Sequence, residues 1–434
     1  MKIAMVGTRG VPARYGGFET CVEEVGRRLV ERGHEVVVYC RTPLTDGGDT
    51  APDLPVEHLG MELVHLPAVR HKVLETLSHT GLSAAHLFVH RTDAALVFNA
   101  ANSVFLPALR AAGIPVATHV DGLEWRRAKW GGAGRSFYRK AESLAVRWSD
   151  ALIADADGIA DYYRDEFDAD TVRIAYGAPI LERSGPSAVG HAGIGELGLD
   201  PQGYHLAVAR FEPENHVDLI VDGYVRSNAE KPLVVVGSAP YSDQYTARVR
   251  ALGDERVRFL GGVWDQDLLD QLYANAATYL HGHSVGGTNP SLLRAIGAAA
   301  PSICFDVEFN REVTRASGRY FSGADDVARL VEAAEADPAA TVARGRAGQQ
   351  RARDYDWDDV AGRYEQLCAE LPARRAARAA GPRPTGARLG SPLRLDVPAR
   401  VAAPSPLSHR HAIPAGGLGP RHLVSVSAPT AQVP

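Results

Sequence analysis

The chain has 434 residues, enough for two domains with separate cores. Its composition, 45% hydrophobic and 23% charged, is ordinary for a soluble globular protein, and no run of 18 apolar residues exists to span a membrane. The net charge of −5 hides an asymmetry: beyond Leu371 stand nine arginines and a single acid, Asp396, so that segment carries about +8 and the rest about −13.

Lys2 to Val6 reads as a buried strand, and a strand that early leaves no room for a signal peptide. A glycine-rich stretch follows, Gly7-Thr8-Arg9-Gly10-Val11-Pro12-Ala13-Arg14-Tyr15-Gly16-Gly17. Phe18, Cys21, Val22, Val25, Leu29 and Val30 then recur at helical spacing until Gly33, and Val36 to Tyr39 forms the next strand. This is a βαβ unit, but it holds neither a G-x-G-x-x-G fingerprint nor a Walker A sequence. Further strands are expected at Leu63 to Leu66, Ala95 to Phe98, Pro115 to His119 and Ala151 to Ala154. They complete a first domain over 1–175.

Tyr176-Gly177-Ala178-Pro179 reads as a hinge into a second α/β domain over 176–352. Its strands begin at His205, Leu233 and Val257. A last strand, Ala277 to Leu280, runs into the polar turn His281-Gly282-His283-Ser284-Val285-Gly286-Gly287-Thr288-Asn289-Pro290. That turn opens a helix with Leu292, Leu293 and Ile296 on its apolar face. A helix N-terminus with glycines beside it suits an anion, because its backbone N–H groups are unpaired and its dipole end is positive. A helix is expected over 353–370. The Pro-, Ala- and Arg-rich remainder, 371–434, reads as a disordered basic tail, either a plain solvated extension or one attracted to anionic surfaces. The cysteines at 21, 40, 304 and 368 lack metal-site spacing and read as reduced core residues.

These motifs resemble the retaining glycosyltransferases of family 4, and more narrowly a bacterial subgroup that includes rhamnosyltransferases. The resemblance rests on Gly7 to Thr20, Val120-Asp121-Gly122-Leu123-Glu124-Trp125, Arg210-Phe211-Glu212-Pro213-Glu214-Asn215, His281 to Pro290, and Phe309-Asn310-Arg311-Glu312-Val313. It covers roughly residues 1–370. It implies a GT-B fold: two Rossmann-like, doubly wound α/β domains facing across a cleft, with a final helix crossing back to the first. Ligands of open α/β sheets sit at the carboxyl ends of the strands, where every one of these motifs lies.

The resemblance implies a reaction and a set of contacts. A nucleotide-sugar donor would lie in the cleft, and charge developing on its diphosphate must be stabilised. Arg210 falls at the family's phosphate-gripping arginine, while Asn215 stands where a lysine is usual. Arg9 or Arg14 is expected to replace the missing charge, and Gly16 and Gly17 match the glycine pair that approaches the donor phosphate. His281, His283, Gly287, Thr288 and Asn289 are expected to line the donor turn. Two family glutamates are replaced by Gly286 and Arg294. A thymidine donor, which lacks a 2′-hydroxyl, would fit the loss at Arg294. His119 falls beside the donor sugar, and Asp121 and Glu124 are the candidates to orient or deprotonate the acceptor hydroxyl. The implied acceptor is a saccharide or lipid-linked saccharide, with no cofactor, no metal and no nucleic-acid partner.

Asp155-Ala156-Asp157 spells the D-x-D pattern of another glycosyltransferase fold, but three residues are too few to be specific. Cations and aromatics mix from Arg126 to Trp148, a composition suited to docking on an anionic membrane. The leading expectation is a hexosyltransferase of cell-surface polysaccharide synthesis, cytoplasmic and placed at the inner membrane face, using dTDP-L-rhamnose. GDP-mannose or a UDP-sugar is the alternative donor. A catalytically weak nucleotide-sugar-binding partner is the alternative class, and a nicotinamide oxidoreductase is disfavoured by the phosphate-loop spacing.

Overall fold

A computed structural model of the protein describes residues 1–13, 16–42, 54–69, 74–120, 122–127, 130–182, 188–238, 243–382 and 384–388. Arg14, Asp121 and the part of the expected tail from 389 onward lie outside them.

The first lobe holds β1 (Lys2–Val6), β2 (Glu35–Arg41), β3 (Glu57–His58), β4 (Met61–Leu66), β5 (Ala94–Phe98), β6 (Val116–His119), β7 (Ala151–Ala154) and β8 (Val172–Arg173). They form one sheet in the order β3-β4-β2-β1-β5-β6-β7-β8, parallel except for the β3–β4 pair. Its helices are α1 (Gly17–Glu31), α2 (Leu74–Val89), α3 (Leu106–Ala111), α4 (Gly132–Trp148) and α5 (Asp157–Phe167). Strands such as β5 and β7 are buried along their whole length, as expected of a parallel sheet covered on both faces.

The second lobe is a six-stranded parallel sheet, β11-β10-β9-β12-β13-β14. Its strands are β9 (His205–Val208), β10 (Leu233–Val236), β11 (Val257–Gly261), β12 (Thr278–His281), β13 (Ser302–Phe305) and β14 (Arg319–Phe321). Around it lie α6 (Ala192–Glu196), α7 (Val217–Arg226), α8 (Asp243–Leu252), α9 (Gln266–Ala274), α10 (Pro290–Gly297), α11 (Glu308–Thr314), α12 (Ala324–Ala336) and α13 (Pro338–Ala352). Both sheets reverse their strand order beside β1 or β9, which puts a crevice at each carboxyl edge.

The hinge is pinned from behind. Ala178 N–H donates to the Tyr355 carbonyl at 2.7 Å, and a side chain at Gly177 would collide with the Trp357 ring. From there α14 (Trp357–Ala380) returns to the first lobe, capped by Asp356, which accepts from the N–H groups of Asp358 and Asp359. Val360, Tyr364, Leu367, Cys368 and Leu371 pack it into a core continuous with α1.

The helix outruns its expected end at residue 370 by ten residues. Three of the arginines in the expected tail, Arg375, Arg378 and Arg388, are anchored to the first lobe. Arg375 and Arg378 donate to the carbonyls of Arg110 and Val146, and Arg388 pairs with the buried Glu142 and Glu166 and the Tyr162 hydroxyl. Gly386, at φ +64°, lets that strap lie against the Ser143 carbonyl, where a Cβ would collide. Around α4, Trp125 is buried and Trp130, Phe137, Tyr138 and Trp148 are half-buried, so these rings turn inward while Arg126, Arg135, Lys140 and Arg147 are exposed. All four cysteines are free and buried. No helix among the described residues is long and apolar enough to cross a membrane.

Candidate active site

The glycine loop after β1 leads into α1, whose first residue, Gly17, faces Pro290, the first residue of α10 in the other lobe. A Cβ on Gly17 would lie 2.9 Å from Pro290 Cγ, so only glycine lets the two helix starts meet this closely. Asn289 caps α10 by accepting from the Ser291 N–H at 2.9 Å, whereas α1 begins at Gly16 with no side-chain cap. A second close approach joins Gly122 (φ +66°) to Gly286: a Cβ on Gly122 would sit 3.5 Å from the Gly286 Cα. Arg9 stands back from this edge, 3.9 Å from Glu75 on α2, with its N–H donating to Glu19.

On the second lobe the loop after β9 and the turn after β12 brace each other. Asn215 donates to the Arg210 carbonyl at 2.8 Å, and its Oδ1 is 2.7 Å from His283 Nδ1. Ser284 donates twice to the Glu214 carbonyl, His216 bonds the Gly282 carbonyl, and Asn310 donates to the carbonyls of His283 and Phe305. Asn215 is therefore a buried bracket, not a donor contact replacing a lysine. Arg210, held by its backbone in this brace, is half-exposed, and its guanidinium meets no carboxylate among the described residues.

Three expected contacts are corrected. Arg294 forms an ion pair with Asp270 of α9, so its charge is compensated inside the lobe. His281 is buried, with Nδ1 on the Tyr279 hydroxyl at 3.1 Å, and burial depresses its pKa to about 3. Glu124 pairs with Arg127, which also reaches Glu214 across the cleft at 3.4 Å; a carboxylate so engaged is not a free base.

His119, at the end of β6, is enclosed by the rings of Phe18, Phe98 and Tyr176 at 5.4–5.7 Å. Burial pushes its pKa down to about 3, so it is neutral at physiological pH. Neither ring nitrogen has a partner among the described residues. His283 is also neutral: burial first, then charges that include Arg127 and Arg210, hold its pKa well below the usual value. Those two arginines therefore converge on the glycine turn from opposite lobes.

Asp155 and Glu214 have no expected role in the sequence motifs, yet both come to the cleft edge. Both are buried carboxylates at the cleft, and each has one oxygen without a partner. Asp155 follows β7 and reaches the opposite turn. Its Oδ2 accepts the Thr288 N–H at 2.8 Å, and its carbonyl accepts the Thr288 hydroxyl at 2.6 Å. Behind it, Arg173 binds the Asp155 carbonyl, Asp157 and Glu312, and Glu312 accepts the Asp157 N–H at the start of α5. Among the described residues no group of three His, Cys, Asp or Glu is arranged to hold a metal ion.

Comparison with known proteins gives this cleft its class. Residues 16–177 match the family model of the "Glycosyl transferase 4-like domain", and residues 203–336 match that of "Glycosyl transferases group 1". Each lobe thus carries one domain of the glycosyltransferase type, the first over residues 16–177 and the second over 203–336. It is 25% identical over 168 residues to the O-antigen chain mannosyltransferase B of Escherichia coli, which covers 36% of this chain and 43% of that protein. The chain thus spans less than half the length of that curated relative. Among solved structures it superposes on the sucrose-phosphate synthase of Thermosynechococcus elongatus with a TM-score of 0.72 at 18% identity, over 86% of this chain and 99% of that one. The Anabaena HepE complex with UDP-glucose gives a TM-score of 0.67, also at 18% identity, over 86% and 99%. At these identities the structures share the GT-B fold.

Proposed function

We propose that the protein is a retaining hexosyltransferase that moves a sugar from a nucleoside diphosphate to a saccharide or lipid-linked saccharide during cell-surface polysaccharide synthesis. The observation that carries this reading is the meeting of α1 and α10 at their N-termini, with Arg210 on the neighbouring loop braced against the same glycine turn. Two positive dipole ends and an unpaired guanidinium repel one another unless an anion lies between them. A diphosphate supplies that charge and gains more as its bond to the sugar breaks.

In this reading the anomeric carbon–oxygen bond breaks and its electron pair leaves with the diphosphate. The acceptor oxygen bonds to the same face of the sugar, and its proton passes to the departing phosphate oxygen. Arg210 and the helix ends hold the leaving group, Gly16 and Gly17 admit it, and neutral His119 offers a hydrogen bond to the sugar. Trp264, 69% exposed just beyond β11 on the same carboxyl edge, offers a face on which a nucleobase can stack.

dTDP-L-rhamnose is the donor placed first. In its support, α10 itself offers no carboxylate to a 2′-hydroxyl. GDP-mannose is the second reading, favoured by the similarity to an O-antigen mannosyltransferase. The exposed cations of α4 suit an acceptor presented at the inner face of a membrane. Thermal unfolding with dTDP-, GDP- and UDP-sugars identifies the donor, since a ligand that binds the native state raises the midpoint. Transfer to a saccharide acceptor, with the product's anomeric configuration read by NMR, tests the reaction. A donor that binds without turnover would leave a nucleotide-sugar-binding partner in place of an enzyme.

A further inference from the structure

We propose that Asp155 is a positioning residue that holds the phosphate-cradling turn of the second lobe closed against the first. This deepens the glycosyltransferase reading and rests on it.

Three observations carry the proposal. Asp155 is the first residue beyond β7, beside the β6 end that carries His119, so its strand delivers it to the cleft edge. It bridges the lobes through two hydrogen bonds to one residue, Thr288, which immediately precedes the cap of α10. And the opposing surface is shaped around it: a Cβ at Gly287 would collide with both carboxylate oxygens. Glycine at 287 is thus required by a side chain of the other lobe, independently of any ligand. The backbone behind Asp155 is fixed by Arg173, itself tied to Glu312 of the second lobe.

The chemistry suits a neighbour of a diphosphate. Burial, only partly opposed by Arg173, pushes the Asp155 pKa up to about 7, so much of the population carries a neutral carboxyl group near neutral pH. A neutral acid fastens the turn without setting a full negative charge beside the leaving group. The contact orients Gly287, Thr288 and the start of α10 toward the phosphates, so it acts through that turn.

The test uses the full chain and calorimetric titration with UDP, dTDP and GDP, alongside amide exchange of the 286–289 segment. Asp155→Ala is expected to weaken the nucleotide that wild type binds by about tenfold, the scale of one buried hydrogen bond, and to speed exchange at Thr288 in the free protein. Asp155→Asn keeps an acceptor for the Thr288 N–H and should stay within about threefold of wild type. Gly287→Ala should weaken binding about tenfold in the wild-type background, yet cost under about threefold more in the Asp155→Ala background, where the obstructing carboxylate is gone.

Unchanged affinity in Asp155→Ala overturns the proposal. So does a Gly287→Ala penalty of equal size in both backgrounds, or an Asp155→Asn loss as large as that of Asp155→Ala. If Asp155→Ala does not fold, an affinity loss well beyond threefold in Asp155→Asn, or Gly287→Ala within about threefold of wild type, overturns the proposal. Wild type that binds none of the three nucleotides refutes the glycosyltransferase reading instead, and that outcome is distinct from all the others.

Discussion

The cleft edge and the back of the first lobe both present arginines, and they use them in opposite ways. At the back, Arg388 is surrounded by Glu142, Glu166 and the Tyr162 hydroxyl, and it closes a strap over α4. At the cleft, Arg210 is held by its backbone carbonyl and its guanidinium is left without a carboxylate among the described residues. Arg294, close in sequence to the cleft turn, belongs with the first kind through Asp270. An arginine's role here is set by whether an acid has been placed beside it, because a compensated guanidinium is structural and an uncompensated one is available to an anion.

The contrast is tested most strongly at Arg388. Arg388→Ala leaves the buried Glu142 without its ion-pair partner and Glu166 with only the longer contact to Arg139, and the expected loss is about 3 kcal/mol of unfolding free energy in urea, with nucleotide affinity unchanged. A stability within error of wild type would break the contrast from the structural side. Truncation after Leu371 is expected to be at least as damaging, because it also removes the anchors at Arg375 and Arg378.

Arg210→Ala should do the reverse. Nucleoside diphosphate affinity is expected to fall by about 2–3 kcal/mol, the range of a charge-assisted contact, with little change in melting. Titration calorimetry showing equal affinities would end the phosphate assignment.

Asn215→Lys sharpens the comparison. If the position wanted a cation, affinity would rise. The bracket predicts a loss of about 1–2 kcal/mol in stability, since the Arg210 carbonyl and His283 Nδ1 lose their partner. Arg294→Ala should cost about 1 kcal/mol of stability and leave the ranking of dTDP and UDP untouched, a ranking that competition binding measures directly.

The smallest expected effect is one of pH. A neutral buried histidine takes up no proton in the native state until about pH 3, whereas the unfolded chain titrates near 6.5. The unfolded state therefore binds more protons between those values, and the stability contributed by His119 and His281 is present above about 6.5 and lost as pH falls toward 3. His119→Phe should flatten the stability–pH curve in that window, read by urea midpoints at a series of pH values.

Much of the molecule was legible in the chain itself. Alternating runs of apolar strand and amphipathic helix set the α/β class, the two-domain order and the hinge near Tyr176. The polar turn ending at Pro290 marked the start of α10, and the helix expected from residue 353 begins at Trp357. These are short-range effects, fixed by periodicity, capping and glycine. The glycine loops stand out by the same local pattern, whereas Arg210 and His119 are singled out by the resemblance of their motifs to the glycosyltransferase family.

What the tertiary structure alone decided was partnership. Asp155 stood in the sequence as half of an unspecific D-x-D, and its meaning comes from Thr288 and Gly287, more than 130 residues away. Asn215 looked like a lost lysine until His283 was placed against it. Arg388 lies in a stretch whose composition is that of a solvated tail, and its role comes from Glu142 and Glu166 buried beneath it. In each case the free energy of a charged or polar group depends on how far it is desolvated and on which opposite group shares its site. Both are properties of contacts between segments far apart in the chain, and no local pattern of residues encodes them.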